Sequence, residues 1–169
     1  APRFHARLNA VRKTYVYRIW NAPVRPVFER KYVTWIEQPL DVDAMRWAAK
    51  LLCGTHDYRA FCSLKKFKKS TVRTVEEVNI EHLGKEIRIS YTGDGFLYHM
   101  VRILTGTLVE VGEGTRKPED MPTILMSMDR ANAGRLMPPE GLTLECVEYE
   151  ADLKKAMLFG SEEEVDKPF

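Results

Sequence analysis

Val75–Thr92 reads VEEVNIEHLGKEIRISYT. Ile87, Ile89 and Tyr91 alternate with Arg88 and Ser90, the period-two pattern of a strand with one buried and one wet face. Val75–His82 forms a second such run before it, and Gly84 stands where the chain must turn back. Two strands joined this closely pair as an antiparallel hairpin. An antiparallel pair at the centre of the chain decides the class, and the flanking segments have to fit around it.

Upstream, Lys13–Trp20 (KTYVYRIW) reads as another strand, with Tyr15, Tyr17 and Ile19 on one face and Thr14, Val16, Arg18 and Trp20 on the other. Asn21-Ala22-Pro23 breaks it, Pro26 keeps the connection irregular, and Lys31–Glu37 is a further candidate strand. Asp41 is placed to cap a helix running to Leu52, with Val42, Met45, Ala48, Ala49 and Leu52 on one side and Gly54 as its stop. Downstream, Gly93-Asp94-Gly95 turns the chain into a helix expected over about Leu97–Val111, its core stripe being Leu97, Val101, Leu104, Leu108 and Val111. Gly106 inside that helix costs up to about 1 kcal/mol against Ala and so signals close approach by another backbone. Gly112 and Gly114 end it. Pro118 opens a shorter helix through Met128, and Thr143–Tyr149 is a last strand. Helices set between strands of a mostly antiparallel sheet predict an α+β fold with the helices on one face. Such a sheet leaves an open face of the kind that often meets RNA.

The whole is 169 residues, enough for one domain with a real core. With 44% hydrophobic and 30% charged residues it is a globular chain rather than a disordered one. No apolar run is long enough to span a bilayer, and Ala1–Arg7 holds no secretory signal core, so no membrane partner is expected. Cys53, Cys62 and Cys146 are an odd count without metal-ligand spacing, and His5, His56, His82 and His99 are scattered singly, so a reduced, cytoplasmic protein without a metal is expected. The acidic end, with Glu162, Glu163, Glu164 and Asp166, is expected to be a loose tail over residues 153–169.

The net charge of +2 conceals an asymmetry. Ala1–Val75 holds 16 Lys+Arg against 5 Asp+Glu, while the remainder holds 10 against 19. Tyr58–Arg73 contains Arg59, Lys65, Lys66, Lys68, Lys69 and Arg73 without one acidic residue, and Phe67 sits between two lysine pairs. It is expected to be a mobile basic loop, either a solvated surface or a phosphate-binding one. No phosphate-cradling glycine loop, nucleophile elbow or Ser/Cys–His pair close in sequence is present, so no complete catalytic set can be read from the residues.

Several local patterns remain: Phe4-His5-Ala6-Arg7, the Tyr15-x-Tyr17 strand, Gly54-x-His56-Asp57-Tyr58, Arg73-Thr74, Gly95-Phe96-Leu97-Tyr98-His99-Met100-Val101-Arg102, the run from Gly106 to Gly114, and Gly141-Leu142-x-Leu144. In this order, from Phe4 to about Asp152, they make the chain resemble the C-terminal half of the TruA family of tRNA pseudouridine synthases. The resemblance implies a cofactor-free isomerisation of uridine to pseudouridine in the anticodon stem-loop of tRNA, by a homodimer whose clefts share one tRNA. It also implies that residues 1–152 are one domain of a longer enzyme. The family's nucleophile is an aspartate in an arginine-threonine-aspartate motif; here Arg73-Thr74 is followed by Val75 and belongs to a later position. The chain is therefore expected to lack the nucleophile, to be inactive alone, and to need its missing N-terminal half as a partner. Asp57 and Asp94 match no nucleophile motif.

Residue by residue, the resemblance assigns Tyr15 to the tyrosine that packs on the target base, Arg102 to the basic residue that pairs with the nucleophilic aspartate, and Leu142 to the pocket wall. A guanidinium beside a carboxylate keeps it ionised, as a nucleophile requires. It also turns Lys65, Lys66, Lys68 and Lys69 toward tRNA phosphates, with Phe67 free to stack and His5, Arg7 and Arg12 lining the same cleft. His99 is open between that cleft and a structural hydrogen bond. The alternatives are a non-catalytic RNA-binding module of the same fold and a structural dimerisation domain.

Overall fold

A computed structural model describes residues 5–67 and 69–150. The first strand, β1 (Ala10–Asn21), extends the expected run at both ends. Of the second expected strand only β2 (Thr34–Ile36) forms, because the chain before it is still turning, with Tyr32 N–H donating to the Glu29 carbonyl at 2.7 Å. Helix α1 (Val42–Leu51) starts where Asp41 caps it, Oδ1 accepting from Ala44 N–H at 2.9 Å. Gly54, at φ 118°, opens a short strand the sequence did not reveal, β3 (Gly54–Asp57). The hairpin forms as read, β4 (Val72–Leu83) and β5 (Glu86–Gly93), with Gly84 at its turn. Helix α2 (Met100–Gly112) and helix α3 (Met121–Ser127) follow, the latter led in by a tight turn over Pro118–Asp120. Strand β6 (Leu142–Tyr149) closes the described chain.

The sheet order is β2-β1-β5-β4-β3, with β6 also on β1. One edge of β1 takes β5 along Lys13–Trp20. The other edge is shared: β6 runs antiparallel along Ala10–Tyr17, and β2 runs parallel along Ile19–Asn21. A strand of 12 residues is long enough for two partners end to end. On the covered face, Tyr17 and Ile19 pair across with Ile89 and Ile87, and all four are fully buried. They join Met45, Leu52 and the apolar side of α2 in one core. The open face carries Arg12, Thr14 and Arg18, and the fold is α+β with its helices on one side of a mostly antiparallel sheet.

Two expectations need correction. Helix α2 begins at Met100, not near Leu97, because His99 takes a left-handed backbone at φ 63° that a helix cannot continue through. Within α2, Thr105 and Val109 are fully buried as well as the core stripe, so the helix is covered nearly all round. The stretch Tyr58–Arg73 is not a loop throughout. Arg59–Phe61 makes a helical turn that sinks Tyr58, Ala60, Phe61 and Cys62 into the molecule, and Thr71 is buried at the other end. The boundary at 152 and the acidic tail lie outside the described residues, as does Lys68.

Gly106 meets its expected neighbour. A Cβ there would overlap the Arg135 carbonyl oxygen, and Gly134 N–H donates to Thr107 Oγ1 at 2.9 Å. The segment before β6 is thereby pressed onto α2, which brings Met137 against Arg102.

Candidate functional site

Arg102 projects from the first turn of α2 and is half-buried. Its Nε donates to the Met137 carbonyl at 2.6 Å, and Met137 N–H returns a bond to the Arg102 carbonyl at 3.3 Å. One side of the guanidinium is thus fixed by backbone. Among the described residues no carboxylate pairs with it, although eight other Arg–carboxylate contacts are formed in the same structure. A fixed cation with its terminal N–H groups free of carboxylate can receive an anion.

Tyr15 lies on the covered face of β1, half-buried, its ring edge-on to Phe96 at 5.3 Å between centroids. Leu142, at the start of β6, sits opposite Tyr17 and packs on the core. Tyr17 itself is structural. Its hydroxyl donates to the Pro138 carbonyl at 2.6 Å with Thr34 Oγ1 also at 2.6 Å, and burial pushes its pKa up to about 12. Arg102 lies near enough to pull that value partly back.

Beyond Phe96 opens a cleft of about 530 Å³. Arg7, Lys66, Lys69 and Arg73 line it, together with the rings of Phe67, Phe96 and Tyr98, and among the described residues no acidic one does. The Arg59 guanidinium stands 5.3 Å from the centre of the Phe67 ring, a cation–π contact that steadies it. The cleft therefore gathers Arg7, Lys66, Phe67 and Lys69 from the residues singled out by sequence, and adds Arg73 and Tyr98. Lys65 is exposed outside the lining. His5 is exposed as well, its Nδ1 accepting from the N–H groups of Arg7 and Leu8, both at 3.3 Å. Arg12 is placed elsewhere, paired with Glu76 at 2.9 Å and Glu148 at 3.1 Å. The rest of the open sheet face is similarly self-neutralised, Glu86 bridging Arg18 and Arg88. That Arg18 pairing holds the Glu86 carboxyl below its usual range.

His99 faces Ser63, its Nδ1 3.1 Å from the hydroxyl oxygen. Burial, then the nearby Arg102 charge, lower its pKa and favour the neutral ring. These two residues are 36 apart in sequence, which is why no local pattern announced them. Asp57 caps Arg59 N–H at 3.0 Å, and Asp94 accepts from Thr74 N–H at 3.0 Å; both serve turns. A second hollow of about 290 Å³ holds Arg25, Arg30 and Trp35 but also Glu140, so its charge is mixed. Among the described residues, no group of three or more His, Cys, Asp or Glu could hold a metal ion, and no helix is long and apolar enough to cross a membrane.

A family sequence model described as tRNA pseudouridine synthase matches residues 48–150, the span that holds both Arg102 and the cationic segment. The chain belongs to the tRNA pseudouridine synthase family. It is 47% identical over 146 residues to the tRNA pseudouridine synthase A of Brevibacillus brevis, covering 86% of this chain and 60% of that protein. The enzyme of the same name from Moorella thermoacetica is 47% identical over 149 residues, with 88% and 61% covered. That from Geobacillus kaustophilus is 44% identical over 147 residues, with 87% and 57% covered. The chain thus spans about three fifths of the length of the pseudouridine synthases it matches.

Proposed function

We propose that this chain supplies the tRNA-docking surface and part of the active site of a tRNA pseudouridine synthase, while the nucleophilic aspartate comes from residues outside it. The observation that carries this reading is Arg102, a guanidinium fixed by the Met137 carbonyl and left without a carboxylate among the described residues. Placed beside an incoming aspartate, it would hold that group ionised and aimed. The isomerisation breaks the N1–C1′ bond of uridine, rejoins the sugar to C5, and moves a proton from C5 to solvent while N1 gains one. Tyr15 would lie against the base as it turns, its own ring backed by Phe96, and Leu142 would close the wall. Cationic cleft and lysines would hold the anticodon stem-loop by its phosphates. No cofactor is invoked, two copies would share one tRNA, and the cytoplasm is where such a substrate is met.

The test uses this chain joined to an aspartate-bearing N-terminal half of the family. Arg102→Met should lower turnover by ~10⁴-fold, as loss of one member of a catalytic unit does, while tRNA affinity stays within a few-fold. Equal losses in turnover and affinity would make Arg102 a phosphate contact and overturn the reading.

A further inference from the structure

Tyr98 stands at the rim of the cationic cleft, one residue before the break that starts α2. Its ring lies on the His99 imidazole, 3.8 Å between centroids and 26° from parallel. That backing is itself held in place. His99 Nδ1 is 3.1 Å from Ser63 Oγ, and Ser63 N–H donates to the Tyr98 carbonyl at 3.3 Å. The left-handed backbone of His99 is what lets two consecutive side chains lie together, a local strain of the kind that functional sites retain. One face of the Tyr98 ring is covered, yet the residue is 56% exposed and its hydroxyl has no hydrogen-bond partner among the described residues. The exposed part borders a cleft that among the described residues holds four cations and no acidic residue.

We propose that the outer face of Tyr98 is a stacking platform for one unpaired nucleobase of the bound RNA, distinct from the uridine that meets Tyr15. The charge of the cleft selects a polyanion, and a flat ring on a rigid backing selects a base carried by it. Phe96 lines this cleft and also touches the Tyr15 ring, so a single strand crossing Phe96 would present one base to each tyrosine. Arg73 lies on that path. Its NH1 is anchored to the Ser70 carbonyl at 3.0 Å and to the Val72 carbonyl, and no carboxylate among the described residues neutralises it, so its charge is available to a phosphate. This assignment rests on the reading that the chain binds tRNA.

The experiment measures binding of the 169-residue chain to a short fluorescein-labelled single-stranded RNA, and to a ribose-phosphate strand of equal length without bases. Wild type should bind the base-bearing strand more tightly. Tyr98→Ala and Tyr98→Leu should each weaken that binding about tenfold, leave the abasic strand unaffected and keep the salt slope, because stacking releases few counterions. Tyr98→Phe should bind as wild type does. Tyr98→Leu binding as tightly as wild type, or Tyr98→Phe falling with Tyr98→Ala, would overturn the platform, as would a change in self-association with no change in RNA affinity. Salt-dependent RNA binding by wild type with no effect of Tyr98→Ala defeats this inference alone. Absence of salt-dependent RNA binding in wild type defeats it together with the tRNA reading.

Discussion

Gly106 has room for hydrogen and nothing larger. The Arg135 carbonyl fills the space where a Cβ would stand, so Gly106→Ala should destabilise by about 1–3 kcal/mol in urea unfolding through overpacking. Helix propensity alone would give the opposite sign, up to about 1 kcal/mol in favour of Ala. Because the same close packing seats Met137 on Arg102, this substitution should also loosen the arginine's anchor. The glycine was legible in the sequence because its cost demanded a reason. The anchor was not, since a carbonyl 35 residues away leaves no local trace. Tyr17 sets a pH limit. Burial raises it to about 12 from 10.0, so its contribution is intact below pH 10 and declines as pH rises from there through 12. Buried Tyr58 and Tyr91 are shifted in the same direction. Tyr17→Phe should cost about 1 kcal/mol at neutral pH for its missing hydrogen bonds and flatten the alkaline decline, which unfolding midpoints across that range would show.

The segment from Tyr58 to Arg73 behaves as two pieces at the scale of an element. Its composition carries one signal, lysine-rich and free of acid, and that signal hid the aromatic turn at its start. Phe61 is fully buried beside Tyr58, with ring centroids 6.2 Å apart. Phe61→Ala should therefore cost about 3–5 kcal/mol in thermal or urea unfolding, the penalty of an emptied core position. Replacing Lys65, Lys66, Lys68 and Lys69 with alanine should leave the melting temperature nearly unchanged, since Lys65, Lys66 and Lys69 are exposed and substitutions at exposed positions stay within about 0.5 kcal/mol each. A loop that were mobile throughout would show no penalty at Phe61. Helix α1 and the β4–β5 hairpin were readable because periodicity and cap chemistry agree there, and Asp41→Ala should cost about 1 kcal/mol through removal of the cap. The start of α2 misled for a physical reason. Leu97 and Tyr98 continue the helical spacing, and only the backbone angle at His99 breaks it.

Across the whole molecule, positive charge is sorted rather than spread. On the open sheet face Arg12, Arg18 and Arg88 are each met by glutamate, whereas the four cations of the cleft meet no carboxylate among the described residues. The sequence showed a basic half, but only the fold separates neutralised arginines from available ones. Tritium release from tRNA labelled at uridine C5 should not occur with this chain alone, since the arginine–threonine–aspartate motif is missing from it. Turnover near that of a full-length relative would direct attention to Asp57 and Asp94. The most direct measurement is the salt dependence of tRNA affinity by fluorescence anisotropy, comparing wild type with the quadruple lysine variant. Removing one lysine–phosphate pair lowers the log–log slope by about one unit. With Lys66 and Lys69 on the cleft, the slope should fall by about two at unchanged stability. An unchanged slope would make the lysines a solvated surface and contradict the assignment of this cleft to tRNA.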